Sequence, residues 1–228
     1  MLFKRLRLPA LLVVATGLLG VVARTPVVTQ YDLRAVEAVE TLRTPALTAI
    51  ADGLNIAFGP VAGVMIVALL AVTLALMGRA RTAVLVTLMV TVGWATSSLF
   101  KRIIARPRPP EAEQLVHQIG HDSFPSGHVT LTLSLVIAAG FLAYGTRRFR
   151  LVVSVGAVLV AAQAFARMYL GVHYPTDVIG SLLAGTAGTS AVIAFRDSVD
   201  RWTGRTPISP GLGGLADRRG SQDAAGDV

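Results

Sequence analysis

Long apolar runs recur along this chain, and they constrain its fold more than any other feature. They cover residues 8–23, 56–77, 82–100, 129–144, 151–166 and 178–195. The hydrocarbon core of a bilayer is about 30 Å thick, and a helix of roughly 20 apolar residues crosses it. Hydrophobic residues make up 53% of the chain and charged residues only 15%, which excludes a soluble protein. The sequence therefore predicts an all-α, integral membrane six-helix bundle.

The first apolar run has two interpretations, because Lys4, Arg5 and Arg7 precede it. A basic start followed by a short apolar region resembles a secretory signal peptide with a cleavage site. Other runs in the chain are equally short, however. We therefore interpret residues 8–23 as a retained helix.

Two further segments have distinctive patterns. Residues 31–44 place charged residues between apolar ones, which predicts an amphipathic helix that lies on the membrane surface or packs on neighbouring loops. The last run contains Gly180, Ala184 and Gly188 at intervals of four. This spacing predicts a helix face that permits close contact with another helix.

The distribution of Lys and Arg predicts the orientation in the membrane. With the N-terminus inside, the inner segments hold 13 of the 21 basic residues, in agreement with the positive-inside rule. Both termini are therefore expected in the cytoplasm of a cell-membrane protein. Residues 1–203 form the predicted membrane domain, and residues 204–228, rich in Gly, Asp and Arg, are expected to be a disordered cytoplasmic tail.

Three polar clusters stand at the ends of apolar runs, and together they suit a phosphate site on the outer membrane face. They are Lys101-x6-Arg108-Pro109, Pro125-Ser126-Gly127-His128 and Arg167-x5-His173-x3-Asp177. Lys supplies a compact charge, and Arg a planar fork that grips two phosphate oxygens. A Ser-Gly pair that opens a helix offers a hydroxyl and free backbone N–H groups to an anion.

The third cluster indicates nucleophilic catalysis. Asp177 can reach one ring nitrogen of His173 and leave the lone pair of the other nitrogen free to attack. Taken singly, the second and third clusters could each be an ordinary helix cap. The combination of all three favours phosphoryl transfer on a lipid, since the site would lie at a membrane surface.

The other cations and histidines near the clusters have simpler interpretations. Arg102 and Arg106 are expected to meet lipid headgroups at a helix end, and His117 and His121 to be solvated loop residues. The absence of cysteine excludes thiolate metal sites and disulfides. No acidic cluster suits a metal, so neither a metal nor another cofactor is expected.

With these motifs the chain resembles the type 2 phosphatidic acid phosphatase family, whose signature is K-x6-R-P, P-S-G-H and S-R-x5-H-x3-D. Ten of the specified residues stand here in order, and Ala166 replaces the family's Ser. The resemblance implies that His173 attacks phosphorus to give a phosphohistidine, oriented by Asp177, while His128 protonates the leaving oxygen. It further implies that the phosphoryl oxygens are held by Lys101, Arg108, Ser126, Gly127 and Arg167.

The resemblance leaves the lipid open among phosphatidic acid, phosphatidylglycerophosphate and polyprenyl diphosphates. The outward site and the compact size favour a polyprenyl diphosphate of the undecaprenyl type. Vanadium haloperoxidases share the clusters but are soluble. A transporter or scaffold with a relic anion site is the non-enzymatic alternative, and the intact catalytic residues argue against it.

The expected partners are a membrane lipid substrate and the lipid bilayer, and a homodimer is left open. Nucleic acid is not expected despite the net charge of +8, because the basic residues fall in short loops rather than in a soluble basic domain.

Overall fold

A computed structural model describes residues 2–118 and 120–202, with side chains from residue 4 to residue 196. Within these ranges the chain is all-helical, without a β-strand, and a short 3₁₀ helix, Glu111–Glu113, lies in the loop before α6. The α-helices are α1 (Leu2–Ala23), α2 (Pro26–Glu40), α3 (Pro45–Ala57), α4 (Pro60–Leu76), α5 (Ala80–Ile104), α6 (Gly127–Ala143), α7 (Phe149–Tyr169) and α8 (Pro175–Trp202). The disordered tail predicted for residues 204–228 lies outside the described residues.

Four of these helices, α1, α5, α7 and α8, are long and apolar enough to cross a membrane. The pair α3 and α4 passes the same test together, with a bend of 54° between the two helices. Helix α6 has 17 residues, which corresponds to about 26 Å at 1.5 Å per residue. The protein is therefore a multi-pass membrane protein, and six spans, with α6 included, remain a prediction.

The predicted second span is not one helix. The sequence predicts a continuous helix over residues 56–77, but α3 ends at Ala57 and α4 begins at Pro60. Proline has no N–H to continue a helical hydrogen-bond ladder, and its ring disfavours a helical conformation in the residue before it. Gly59 is accordingly extended, with φ −71° and ψ 170°.

Helix α2 begins at Pro26 and not near residue 31, because Thr25 accepts a hydrogen bond from Val28 N–H as the N-cap. Asp32 and Val36 on this helix are buried, whereas Tyr31 is 66% exposed. The buried face of α2 packs against helices α7 and α8 and not on the neighbouring loops of the second alternative, and a position on the membrane surface stays a prediction.

Close helix contacts surround α8, as its small residues predict. A Cβ at Gly188 would lie 2.8 Å from the Cα of Gly93 on α5, and a Cβ at Gly180 would lie 2.4 Å from the ring of Phe124. On the other side of α8 lies α1, which packs along it. Helix α1 also lies close to α5, since a Cβ at Gly20 of α1 would lie 2.7 Å from Ile104 at the end of α5. A homodimer would need a face other than the small-residue face of α8.

Helices α5 and α7 end, and α6 and α8 begin, at the same end of the bundle. The α3–α4 break lies at that end as well, beside the ring of His128. The three polar clusters therefore meet, although they are spread over almost 80 positions of the sequence.

Candidate active site

Lys101 lies in the last turn of α5 and pins the loop that follows. Its ammonium donates to the carbonyl oxygens of Asp122 at 2.8 Å and Ser123 at 3.1 Å. The loop closes further where the Ser123 N–H donates to the Arg106 carbonyl at 2.7 Å. A Lys ammonium has three donors, so one of them stays available to a ligand in the adjoining cavity.

Arg108 connects this loop to the segment that carries the candidate nucleophile. Its Nε donates to the Gly120 carbonyl at 3.1 Å and its Nη1 to the Val172 carbonyl at 2.9 Å. The same Nη1 lies 3.3 Å from Nε2 of His173. The cation is thus held rigidly next to the ring that would attack phosphorus.

The neighbours of His173 select its tautomer. Nδ1 lies 3.3 Å from Oδ2 of Asp177, and Nε2 faces Arg108. A guanidinium only donates and a carboxylate only accepts, so both contacts are satisfied when Nδ1 carries the proton and Nε2 the lone pair. Burial, with nearby Arg108, Lys101 and Arg167, lowers the pKa of His173 well below its ordinary value of 6.5. The ring is therefore neutral near pH 7.

The second cluster forms the start of α6. Ser126 is the N-cap residue, and its N–H donates to Oγ of Ser181 at 2.8 Å. Its own Oγ is buried and has no hydrogen-bond partner among the described residues. A Cβ at Gly127 would lie 3.7 Å from the Trp94 ring and 3.8 Å from Oγ of Ser97, so a side chain there would fill the cavity rather than clash.

Arg167, in the last turn of α7, is fully buried and held by two amides. Its Nη1 donates to Oδ1 of Asn55 at 2.5 Å and its Nη2 to Oε1 of Gln118 at 2.9 Å. The backbone of Asn55 also forms a hydrogen bond with His128. Our sequence interpretation did not identify either amide. The signal for Asn55 was a single carboxamide just before an apolar run.

A cavity of about 430 Å³ joins these groups. Five of the eight predicted site residues line it, namely Lys101, Arg108, Gly127, His128 and His173. The other three, Ser126, Arg167 and Asp177, are buried behind them. The apolar part of the lining comes mainly from the α3–α4 break, with Ile56, Phe58, Pro60, Val61, Ala62 and, on α5, Trp94.

One of the expectations about nearby residues is wrong. His117 is exposed in its loop, as expected, and it also lines the cavity with Gln118. Arg106, expected among lipid headgroups, is 1% exposed and donates to Oδ1 of Asp177 at 2.8 Å. Arg102 is exposed, as expected. Sequence alone could not separate the two arginines, because both stand in one basic segment.

The cavity wall is cationic rather than acidic. Among residues 2–118 and 120–202, no three His, Asp or Glu side chains converge as metal ligands would. The groups that face the cavity can instead bind an anion by charge and by N–H donation.

Comparison with known proteins identifies the family. Residues 80–199 match the model of the PAP2 superfamily. A putative undecaprenyl-diphosphatase of Escherichia coli K12 is 40% identical over 73 residues, which are 32% of this chain and 34% of that protein. A decaprenylphosphoryl-5-phosphoribose phosphatase of Mycolicibacterium smegmatis is 40% identical over 87 residues, 37% of this chain and 44% of that protein. This chain thus matches less than half the length of either relative.

The fold agrees with a solved membrane protein. The crystal structure of a PAP2-type phosphatidylglycerolphosphate phosphatase from Bacillus subtilis superposes with a TM-score of 0.75 at 23% identity, covering 86% of this chain and 98% of that one. The family model matches more than half of the present chain and spans all three polar clusters. This chain belongs to the PAP2 superfamily.

Proposed function

We propose that this protein is a lipid phosphatase that hydrolyses a polyprenyl-linked phosphate or diphosphate through a covalent intermediate on His173. The observation that carries the proposal is the mixed lining of the cavity. Three histidines and two cations line it, and so do the apolar residues of the α3–α4 break. A substrate that suits both kinds of residue has a phosphate at one end and an apolar chain at the other.

The first step would transfer the phosphoryl group to the enzyme. The Nε2 lone pair of His173 forms the bond to phosphorus, and the bond from phosphorus to the leaving oxygen breaks. His128, which lines the same cavity, gives its proton to that oxygen. Asp177 stabilises the positive charge that develops on the His173 ring.

The second step would hydrolyse the phosphohistidine. A water oxygen attacks phosphorus, its proton passes to His128, and the bond to Nε2 breaks with its electron pair returning to the ring. Lys101, Arg108 and Gly127, which line the cavity, hold the equatorial oxygens throughout. Oγ of Ser126 and Nε of Arg167, buried and without a hydrogen-bond partner among the described residues, are the further donors that would reach these oxygens. These fixed cations stabilise the charge that Mg²⁺ balances in many other phosphoryl-transfer enzymes, so we expect turnover without a metal.

Polyprenyl substrates are favoured over the alternatives by the relatives. One similar protein is named for undecaprenyl diphosphate and another for a decaprenylphosphoryl sugar phosphate. The structural neighbour is named for phosphatidylglycerolphosphate, which keeps glycerophospholipids, phosphatidic acid among them, as the second candidate class.

Purified protein tests the proposal directly. It should release inorganic phosphate from undecaprenyl diphosphate faster than from phosphatidylglycerophosphate or phosphatidic acid at equal mole fraction in mixed micelles, and EDTA should not slow it. A preference for a glycerophospholipid would overturn the polyprenyl assignment. Failure with every lipid phosphate would overturn the phosphatase itself, and restoration by Mg²⁺ after EDTA would overturn the metal-free mechanism.

The outward orientation of the site is part of the same proposal. The three polar clusters lie at one end of the bundle, which we call the cluster end. Ala112 is exposed at this end, in the loop before α6, and Arg147 is exposed at the other end, between α6 and α7. In intact cells an impermeant maleimide should label A112C and spare R147C until lysis, without competition, since the chain has no cysteine of its own. The opposite labelling pattern would move the site to the cytoplasm.

A further inference from the structure

Arg106 is a buried cation that the mechanism above does not use. It lies two residues before Arg108, and its side chain is 1% exposed. Its guanidinium stacks on the ring of Tyr174, 4.1 Å from the centroid. Burying a charge costs several kcal/mol unless partners compensate it, so its partners should explain why it is there.

Two carboxylates provide that compensation. Nη1 donates to Oδ1 of Asp177 at 2.8 Å, and Nη2 donates to Oδ2 of Asp32 at 2.8 Å. The hydroxyl of Thr176 accepts from Nη1 at 2.7 Å and also bonds Oδ2 of Asp32. All three charged side chains are buried, and together they carry one net negative charge. This trio is the Asp32–Arg106–Asp177 relay.

The relay determines the position of the carboxylate that faces His173. Oδ1 of Asp177 is engaged by Arg106, while Oδ2 accepts from the Tyr174 N–H at 2.9 Å and faces Nδ1 of His173 at 3.3 Å. Rotating the carboxylate would break the charged pair with Arg106. Its second oxygen is therefore held towards the histidine, and the ring is held in turn.

Asp32 gives the relay an anchor in a different part of the chain. It lies on α2, which precedes in sequence the residues 80–199 that match the family model. Without it, one arm of the Arg106 fork would lose its charged partner, and the guanidinium could shift together with Asp177. Buried charges in such a network are strongly coupled, and the removal of one disturbs the others.

We infer that Asp32 and Arg106 are positioning residues for the reaction, which act through Asp177 to hold His173 in its attacking tautomer and orientation. The inference rests on the proposed function for its kinetic consequences, but the tautomer itself can be observed without substrate. Neither residue touches the phosphate in this assignment.

Asp32→Asn is the main test, with Glu37→Gln, an exposed carboxylate on the same helix, as the matched control. Asp32→Asn should lower kcat roughly 10- to 100-fold, as a misplaced catalytic group does, with KM nearly unchanged. Glu37→Gln should change neither. In an Asp177→Asn background Asp32→Asn should have little further effect, because residues that act through one group are not additive.

Thr176→Val is a milder second variant, which removes the bridging hydroxyl at nearly constant volume. It should lower kcat by a smaller factor than Asp32→Asn, and it should likewise have little further effect in the Asp177→Asn background. If Asp32→Asn does not fold, Thr176→Val is sufficient to test the inference. An equal loss with Asp177 present or absent, a change confined to KM, or an unchanged kcat would overturn the inference.

A substrate-free measurement separates this inference from the proposed function. In protein labelled with ¹⁵N-histidine, the His173 signals, assigned with His173→Gln, should report a proton on Nδ1 in the wild type and a mixture of tautomers in Asp32→Asn. Identical tautomers in the two proteins would refute the relay, even if phosphatase activity were established. A tautomer change in a protein that hydrolyses no lipid phosphate would support the relay and refute the proposed function.

Discussion

Two regions of the molecule meet at the cavity and contribute in different ways. The motif region, residues 101–177, supplies every group proposed to touch phosphate. The N-terminal region, residues 26–57, supplies Asp32 against Arg106 and Asn55 against Arg167. The first region is recognisable from its sequence pattern, whereas the second has no motif and contributes single polar side chains from an amphipathic helix, α2, and a mostly apolar one, α3.

The difference separates two roles in this site, namely contact with the phosphate and support of the buried cations. Buried cations such as Arg106 and Arg167 need partners, and the motif region alone does not provide enough of them. Helices α2 and α3 provide them from outside. We therefore expect substitutions in the motif region to abolish chemistry, and substitutions in the N-terminal region to reduce it while the protein stays folded.

The largest expected effect is that of His173→Ala. Loss of the nucleophile should lower kcat by about 10⁴-fold or more, and it should remove the acid-labile phosphoprotein trapped from labelled substrate. His121→Ala, an exposed histidine of the loop before α6, is the control and should stay within a few-fold of wild type. Substantial activity in His173→Ala would remove the nucleophile from the mechanism.

Asn55→Ala tests the N-terminal region. It removes the acceptor that holds Nη1 of Arg167, so the cation should shift and kcat/KM should fall roughly 10- to 100-fold. Gly53→Ala is a matched control on the same helix, because a Cβ there meets no atom within 4 Å. Full activity of Asn55→Ala would contradict the proposal that α3 supports the site by holding Arg167.

Tyr169→Phe tests the hydrogen bonds that join the start of α3 to the end of α7. The buried phenol oxygen accepts from the Thr44 N–H at 2.8 Å and lies 2.9 Å from the hydroxyl of Thr48. Its removal should lower the free energy of unfolding by about 1 kcal/mol and reduce activity less than Asn55→Ala. Thermal unfolding in detergent measures this. Tyr144→Phe, at an exposed tyrosine, should leave the transition unchanged.

The smallest effect concerns pH. Burial and the neighbouring cations lower the pKa of His173 well below 6.5, and the attacking ring must be neutral. Activity should therefore persist as pH falls through 6.5 and decline only below it, where the ring takes up a proton. The charged or titratable groups around the ring are Arg108, Lys101, Arg167, His128 and Asp177.

Single-turnover rates between pH 4.5 and 7.5 would locate this acid limb. Asn55→Ala should lower the rate and move the limb only slightly upward, because Arg167 is one of several cations near His173 and burial is the larger cause of its low pKa. An acid limb at or above 6.5 in the wild type would contradict the assigned environment of His173.

Much of the fold followed from local pattern. The apolar runs predicted α1, α5, α6, α7 and α8 to within a few residues, except at the N-terminal end of α1 and the C-terminal end of α8, because a bilayer demands long apolar helices whatever their neighbours. The small residues of α8 predicted its close contacts. The α3–α4 break was missed because a membrane helix can tolerate a Gly-Pro pair. Only the packing at the cluster end decides whether the helix continues through that pair or breaks there.

The sequence by itself determined that the chain is a helical membrane protein with a cationic site, a hydroxyl and a His–Asp pair, since those residue types at those spacings suit phosphate. The tertiary structure decided which cations face the cavity and which are buried supports. Arg106 and Arg108 stand two residues apart, yet one lies between two carboxylates and the other beside His173. That choice depends on Asp32 and Asn55, brought to the site from distant positions by helix packing, and no local pattern encodes such a contact.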